Sequence, residues 1–118
     1  MSAERVIHIE GEIGRLIPRG HVTARLTQAL SRLPVHPVAA HVRFFDVNGP
    51  KGGNDIRCVL LVELPRRPAI RVEREATTPR LAFDASYERL VRQLERSLER
   101  WQDERRHPKK YYAASRLQ

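Results

Sequence analysis

Four arginines, Arg89, Arg92, Arg96 and Arg100, recur at spacings of three and four in the C-terminal part of the chain. Wound into a helix at about 100° per residue, they line up on one side as a ladder of guanidinium groups. Such forks match phosphate oxygens bidentately, so the chemistry they offer is recognition of a polyanion, nucleic acid above all. Glu88, Glu95 and Glu99 run along one flank of that ladder. They open a plainer reading, a solvated face knitted by the pairs Glu88–Arg92, Arg92–Glu95 and Arg96–Glu99. A second basic edge lies earlier, where His21, Arg25 and Arg32, with Gln28 between them, fall within about 60° of one another in a helix. Lys51 sits in the run Asn48-Gly49-Pro50-Lys51-Gly52-Gly53-Asn54-Asp55. This run lacks the Gly-Lys-Ser/Thr ending of a P-loop and is followed by a strand pattern. It reads as a hairpin loop that offers Lys51 to phosphate, or as a turn that simply needs glycine.

Other reactive residue types give little. Cys58 is the only cysteine and alternates with Leu60 and Val62, the setting of a buried structural thiol. There is no partner for a disulfide and no cysteine-based zinc cluster. The five histidines form no i, i+4 pair, so no metal is expected. No Ser-His-Asp arrangement or paired carboxylate stands out, and neither an enzyme nor a cofactor is expected. Tyr87 and Trp101 fall on an apolar stripe and read as packing residues. Tyr111 and Tyr112, beside Lys109 and Lys110, are either base-stacking groups or part of a disordered tail.

The hydrophobic pattern supplies the elements that would hold these residues. Phe83, Tyr87, Leu90, Val91, Leu94, Leu98 and Trp101 predict a long helix over 83–105, apolar on the side away from the arginines. Val6-Ile7-His8-Ile9, closed by Gly11, predicts a first strand. Val22, Leu26, Ala29, Leu30 and Leu33 predict a helix over 21–33, stopped by Pro34 and Pro37. Alternation predicts strands over 38–47 and 56–64. Pro65-Arg66-Arg67-Pro68 reads as a turn before a fourth strand over 69–75. The order is β-α-β-β-β-α, an α+β single domain. Its four-stranded sheet ends in an antiparallel meander, with two helices packed on one face. If those helices lie side by side, their two arginine edges can merge into one continuous basic surface. Residues 1–106 are assigned to this domain and 107–118, which lack periodicity, to a flexible basic tail.

Composition agrees with a polyanion partner. The chain has 118 residues, enough for one domain. Its formal net charge is +8 and its pI about 10.7. Arginine carries most of the positive charge, with lysine only at Lys51, Lys109 and Lys110. No stretch approaches the roughly 20 apolar residues of a membrane span. The N-terminus lacks an apolar run for secretion, so cytoplasmic residence is expected.

Two portions of the chain resemble the ribosome hibernation-promoting factor and ribosome-associated inhibitor family, also called sigma-54 modulation proteins. The first is Asp46-Val47-Asn48-Gly49-Pro50-Lys51-Gly52-Gly53-Asn54-Asp55-Ile56-Arg57-Cys58, similar to a loop between the second and third strands in one branch of that family. The second is Phe83-Asp84-Ala85-Ser86-Tyr87-Glu88-Arg89-Leu90-Val91-Arg92-Gln93-Leu94-Glu95-Arg96, similar to the family's last helix. The resemblance implies a protein that is not an enzyme. It implies binding to the small ribosomal subunit in the channel used by messenger and transfer RNA, holding idle ribosomes out of translation. It also implies that Arg89, Arg92, Arg96 and Arg100, and more weakly Arg25 and Arg32, lie against ribosomal RNA. Long family members carry a second domain that pairs ribosomes. A chain of this length is expected to be a short form, monomeric off the ribosome. The segment Gly14-Arg15-Leu16-Ile17-Pro18-Arg19-Gly20 departs from the family pattern.

Two other classes stay open on the residues alone. One is a general double-stranded RNA-binding module, marked by equal affinity for naked duplex and for intact small subunits. The other is a protein-interaction module whose basic helix meets an acidic partner such as a sigma factor.

Overall fold

The computed structural model describes residues 6–10, 17–47 and 56–106. Its elements run in the expected order: β1 (Ile7–Glu10), α1 (Arg19–Leu30), β2 (Ala39–Asp46), β3 (Ile56–Leu64), β4 (Arg67–Ala76) and α2 (Pro79–Arg106). The sheet order is β1-β2-β3-β4. β1 lies parallel to β2, with Ile7 beside Ala40 and Ile9 beside Val42, so α1 is the crossover of a βαβ unit. β2, β3 and β4 form the antiparallel meander.

Strand alternation sorts the side chains. Ile7, Ala40, Val42, Phe44, Cys58, Leu60, Val62, Ile70 and Val72 are buried in one core with the apolar sides of both helices. From α1 the core takes Val22, Leu26, Ala29 and Leu30; from α2 it takes Phe83, Leu90, Leu94 and Trp101. The architecture is the α+β arrangement expected, with both helices on this side of the sheet.

The ends of the helices differ from expectation for local reasons. α1 begins two residues early, because the Pro18 carbonyl accepts the first hydrogen bonds, from His21 N (3.1 Å) and Val22 N (3.4 Å). It closes at Leu30 and tightens into short turns, with Arg32 N bonded to the Ala29 carbonyl and Leu33 N to that of Leu30. Leu33 stays in the core from outside the helix. α2 begins a full turn before Phe83. Thr78 Oγ1 accepts from Leu81 N at 3.2 Å and Pro79 opens the helix, where its missing N–H costs nothing. The β3–β4 turn shrinks to Pro65-Arg66, Arg66 taking a positive φ of 61°. Pro68 thereby falls inside β4, which tolerates it as an edge strand.

Three contacts fix α2 against its neighbours. Ser86 Oγ donates to the Cys58 carbonyl of β3 at 3.0 Å in the buried interior. Near the far end, Arg67 of β4 lies 4.1 Å over the Trp101 ring and reaches Glu104 at 3.4 Å. Between the helices, His21 Nε2 and Asp84 Oδ1 meet at 3.0 Å, with the His21 ring edge-on to Phe83. His21 is thus a clasp between α1 and α2 more than a solvated edge residue.

Candidate nucleic-acid interface

The apolar stripe of α2 turns Arg89, Arg92, Arg96 and Arg100 outward, and all four are exposed. From Arg89 to Arg100 the ladder spans about 16 Å at 1.5 Å per residue. The intrahelical pairs Glu88–Arg92, Arg92–Glu95 and Arg96–Glu99 do not close. Among the described residues Arg89, Arg92 and Arg96 make no ion pair, and Arg100 donates only to Ser97 Oγ at 3.2 Å. Three guanidinium groups therefore face solvent with their donors free for an anion.

The second basic edge is placed differently. Arg25 of α1 stands 5.6 Å from the Tyr87 ring centroid of α2, and Arg32 approaches Glu95 at 3.8 Å. Both arginines line a groove between the helices together with Tyr87, Val91, Leu94 and Leu98. On the α2 wheel the groove residues centre about 160° from the arginine ladder. Glu88, Glu95 and Glu99 occupy the arc between them. The two arginine edges do not merge into one continuous basic surface. The reason is rotational: the row of three glutamates sits where the surfaces would have joined. The result is two basic strips, one on the outer side of α2 and one on the groove rim.

The opposite face of the sheet is a poor polyanion surface. There Arg43 meets Glu10, Arg57 meets Glu75 at 3.0 Å, and Arg71 meets Glu73 at 3.2 Å. His41 lies between Glu10 (3.7 Å) and Glu63 (3.5 Å) and stacks on His8. The Arg43 guanidinium beside Glu10 holds that carboxylate below its ordinary range. The arginines named on this face are already answered by acids, so among the described residues the unpaired Arg89, Arg92 and Arg96 lie on the helical side.

Cys58 is fully buried, and burial pushes its thiol up to about 12, against a smaller lowering by the Ser86 hydroxyl beside it. A thiol held protonated in this way is a weak nucleophile near neutrality. Among the described residues no group of three His, Cys, Asp or Glu could hold a metal ion. No described helix is long and apolar enough to cross a membrane. Lys51 and its loop, and the basic tail, lie outside the described residues. The loop's flanks are placed, Asp46 pairing with Ile56 and Ile56 with Ala76, at the end of the sheet from which α2 starts.

One cation escaped the reading of the sequence. Arg74 is exposed on edge strand β4 opposite buried Cys58, on the helical side of the sheet. Its position follows from the same alternation that buries Val72, two residues before it.

No family model matches the chain, and no curated protein does. A solved structure supplies the likeness. The fold is similar to that of the N-terminal domain of Thermus thermophilus Protein Y. The TM-score is 0.58 at 25% sequence identity, over 76% of this chain and 92% of that one. Nearly the whole of that domain is therefore matched, by about three quarters of this chain.

Proposed function

We propose that this chain is a ribosome-associated factor that restrains translation by occupying ribosomal RNA of the small subunit at the messenger and transfer RNA channel. The observation that carries the proposal is the row of exposed, unpaired guanidinium groups on α2, borne on a fold like the Protein Y N-terminal domain. That likeness supports, by fold, the family that the loop around Lys51 and the last helix resemble. In this reading Arg89, Arg92, Arg96 and Arg100 anchor to phosphates, and Arg25, Arg32 and Lys51 extend the contact. Phosphate contacts fix register without reading sequence, and RNA of A-form is recognised largely by shape. The sheet supplies the bulk that excludes messenger and transfer RNA. The action is steric and electrostatic, without catalysis or a cofactor, and the protein works in the cytoplasm as a monomer when off the ribosome.

The test is sedimentation of the purified chain with ribosomes through a sucrose gradient at low and physiological salt. Migration with the small subunit or whole ribosome, lost on Arg92→Glu with Arg96→Glu, is the expected outcome. A chain that stays at the top of the gradient in both salts would refute the proposal.

A further inference from the structure

The groove between α1 and α2 has a volume of about 200 Å³. That is below the roughly 300–1,000 Å³ of pockets that enclose drug-sized ligands, and suits a single ring system. Its floor is apolar, with Val91, Leu94 and Leu98. Its wall carries the half-buried ring of Tyr87, and its rim carries Arg25, Gln28 and Arg32. The Gln28 side-chain amide is exposed and makes no hydrogen bond among the described residues. The combination is an aromatic plate, an amide able to donate and accept, and two cations at one mouth.

We propose that this groove takes one unstacked base of single-stranded RNA, stacked on Tyr87, its edge met by the Gln28 amide and its flanking phosphates held by Arg25 and Arg32. The proposal rests on the RNA-binding reading above and deepens it, by assigning the groove to a splayed base while the α2 ladder holds backbone. Bases in single strands stack on aromatic rings and on guanidinium planes, and are read along their exposed edges. A paired base in a duplex offers no free face and cannot enter. The guanidinium of Arg25 already stands over the ring at 5.6 Å and is exposed, so it can close over a base or turn to its phosphate. Glu95 is the one acidic side chain among the described residues lining the groove. Its 3.8 Å approach to Arg32 is longer than a hydrogen bond, with side chains 52% and 58% exposed, the kind of pair that contributes little and yields to a phosphate.

The experiment is fluorescence anisotropy with a labelled uridine oligomer and a fully paired RNA duplex of the same length, with ribosome co-sedimentation run in parallel. Tyr87→Leu should weaken single-strand binding by about 5- to 150-fold, the range that stacking of one base supplies, and duplex binding by less than about twofold. Tyr87→Phe should keep most of the affinity, and Glu95→Gln should raise it by freeing Arg32. Should Tyr87→Leu fail to fold, exposed Gln28→Ala serves in its place, with the loss again confined to the single strand. Equal losses for strand and duplex, or none for either, overturn the proposal. So does capture of an acidic peptide by a protein that ignores the oligomer. Co-sedimentation without oligomer binding would remove the base site and leave the ribosome reading intact. Tyr87-dependent oligomer binding without co-sedimentation would do the reverse.

Discussion

Replacing Arg92 and Arg96 together by alanine separates contact by the α2 ladder from the pull of net charge. Both side chains are exposed and without ion pairs among the described residues, so stability should change by no more than about 0.5 kcal/mol. Each phosphate contact adds about 0.7–0.9 to the slope of log K against log salt. Losing two contacts should therefore lower that slope by about 1.4–1.8. In practice, raising salt from about 50 to about 200 mM would close about tenfold of the affinity gap between variant and parent. The control is Arg57→Ala with Arg71→Ala, which removes the same formal charge from the opposite sheet face. There the lost partners are Glu75 and Glu73, in exposed pairs that contribute about 1 kcal/mol at most. The assay is binding to isolated small subunits across a salt series, with a thermal melt of each variant. An unchanged slope in the ladder variant, or an equal change in both variants, would refute the assignment of the interface to α2.

Two further predictions concern the core that aims the ladder. Ser86→Ala removes the donor to the Cys58 carbonyl and should cost about 1 kcal/mol in urea denaturation, with Ser86→Val costing more because it overpacks a fully buried site. Cys58 should make stability fall with alkaline pH: the folded protein keeps the thiol proton up to about 12, whereas an ordinary thiol loses it near 9.0. The contribution is whole below pH 9.0 and is lost as pH rises towards about 12, so Cys58→Ala should flatten the fall across that window in pH-dependent unfolding.

The elements were legible because their signals are local. The stripe of Phe83, Leu90, Leu94 and Trp101 could only be one side of a helix. Cys58, Leu60 and Val62 could only be one side of a strand. The missed first turn of α2 was also local, since Thr78-Pro79 is a cap followed by a residue suited to a helix start. Other features depend on how elements meet. The parallel pairing of β1 with β2 and the clasp of His21 on Asp84 join residues far apart in sequence. Whether two arginine edges fuse depends on the rotation of α2 about its axis against α1. One strip of sequence fixes which residues share a side of a helix, but not which neighbour each flank meets. Glu95 was visible on the flank of the ladder; that it stands between Arg32 and the ladder needed the packed pair.

The net charge of +8 says less about the interface than its distribution does. Of the 22 basic residues, Arg105, Arg106, Lys109, Lys110 and Arg116 fall in residues 105–118, where there is no acid; the other 17 share the rest of the chain with all 14 acids. On α2 the glutamate row lies less than a quarter turn from the ladder, on a helix about 10–12 Å across with its side chains. That separation is comparable with the screening length of about 8 Å at physiological salt. From a distance three glutamates offset most of the charge of four arginines, and only a ligand in contact meets the arginines alone. The ladder should then add little to long-range steering, which needs a field of one sign over a wide surface. Its effect belongs in the lifetime of the complex. Arg92→Ala with Arg96→Ala should raise the dissociation rate from small subunits several-fold while leaving the association rate within about twofold, as surface-immobilised subunits would report. A fall confined to the association rate would mean that the helix acts through its field, and that the glutamate row does not mask it.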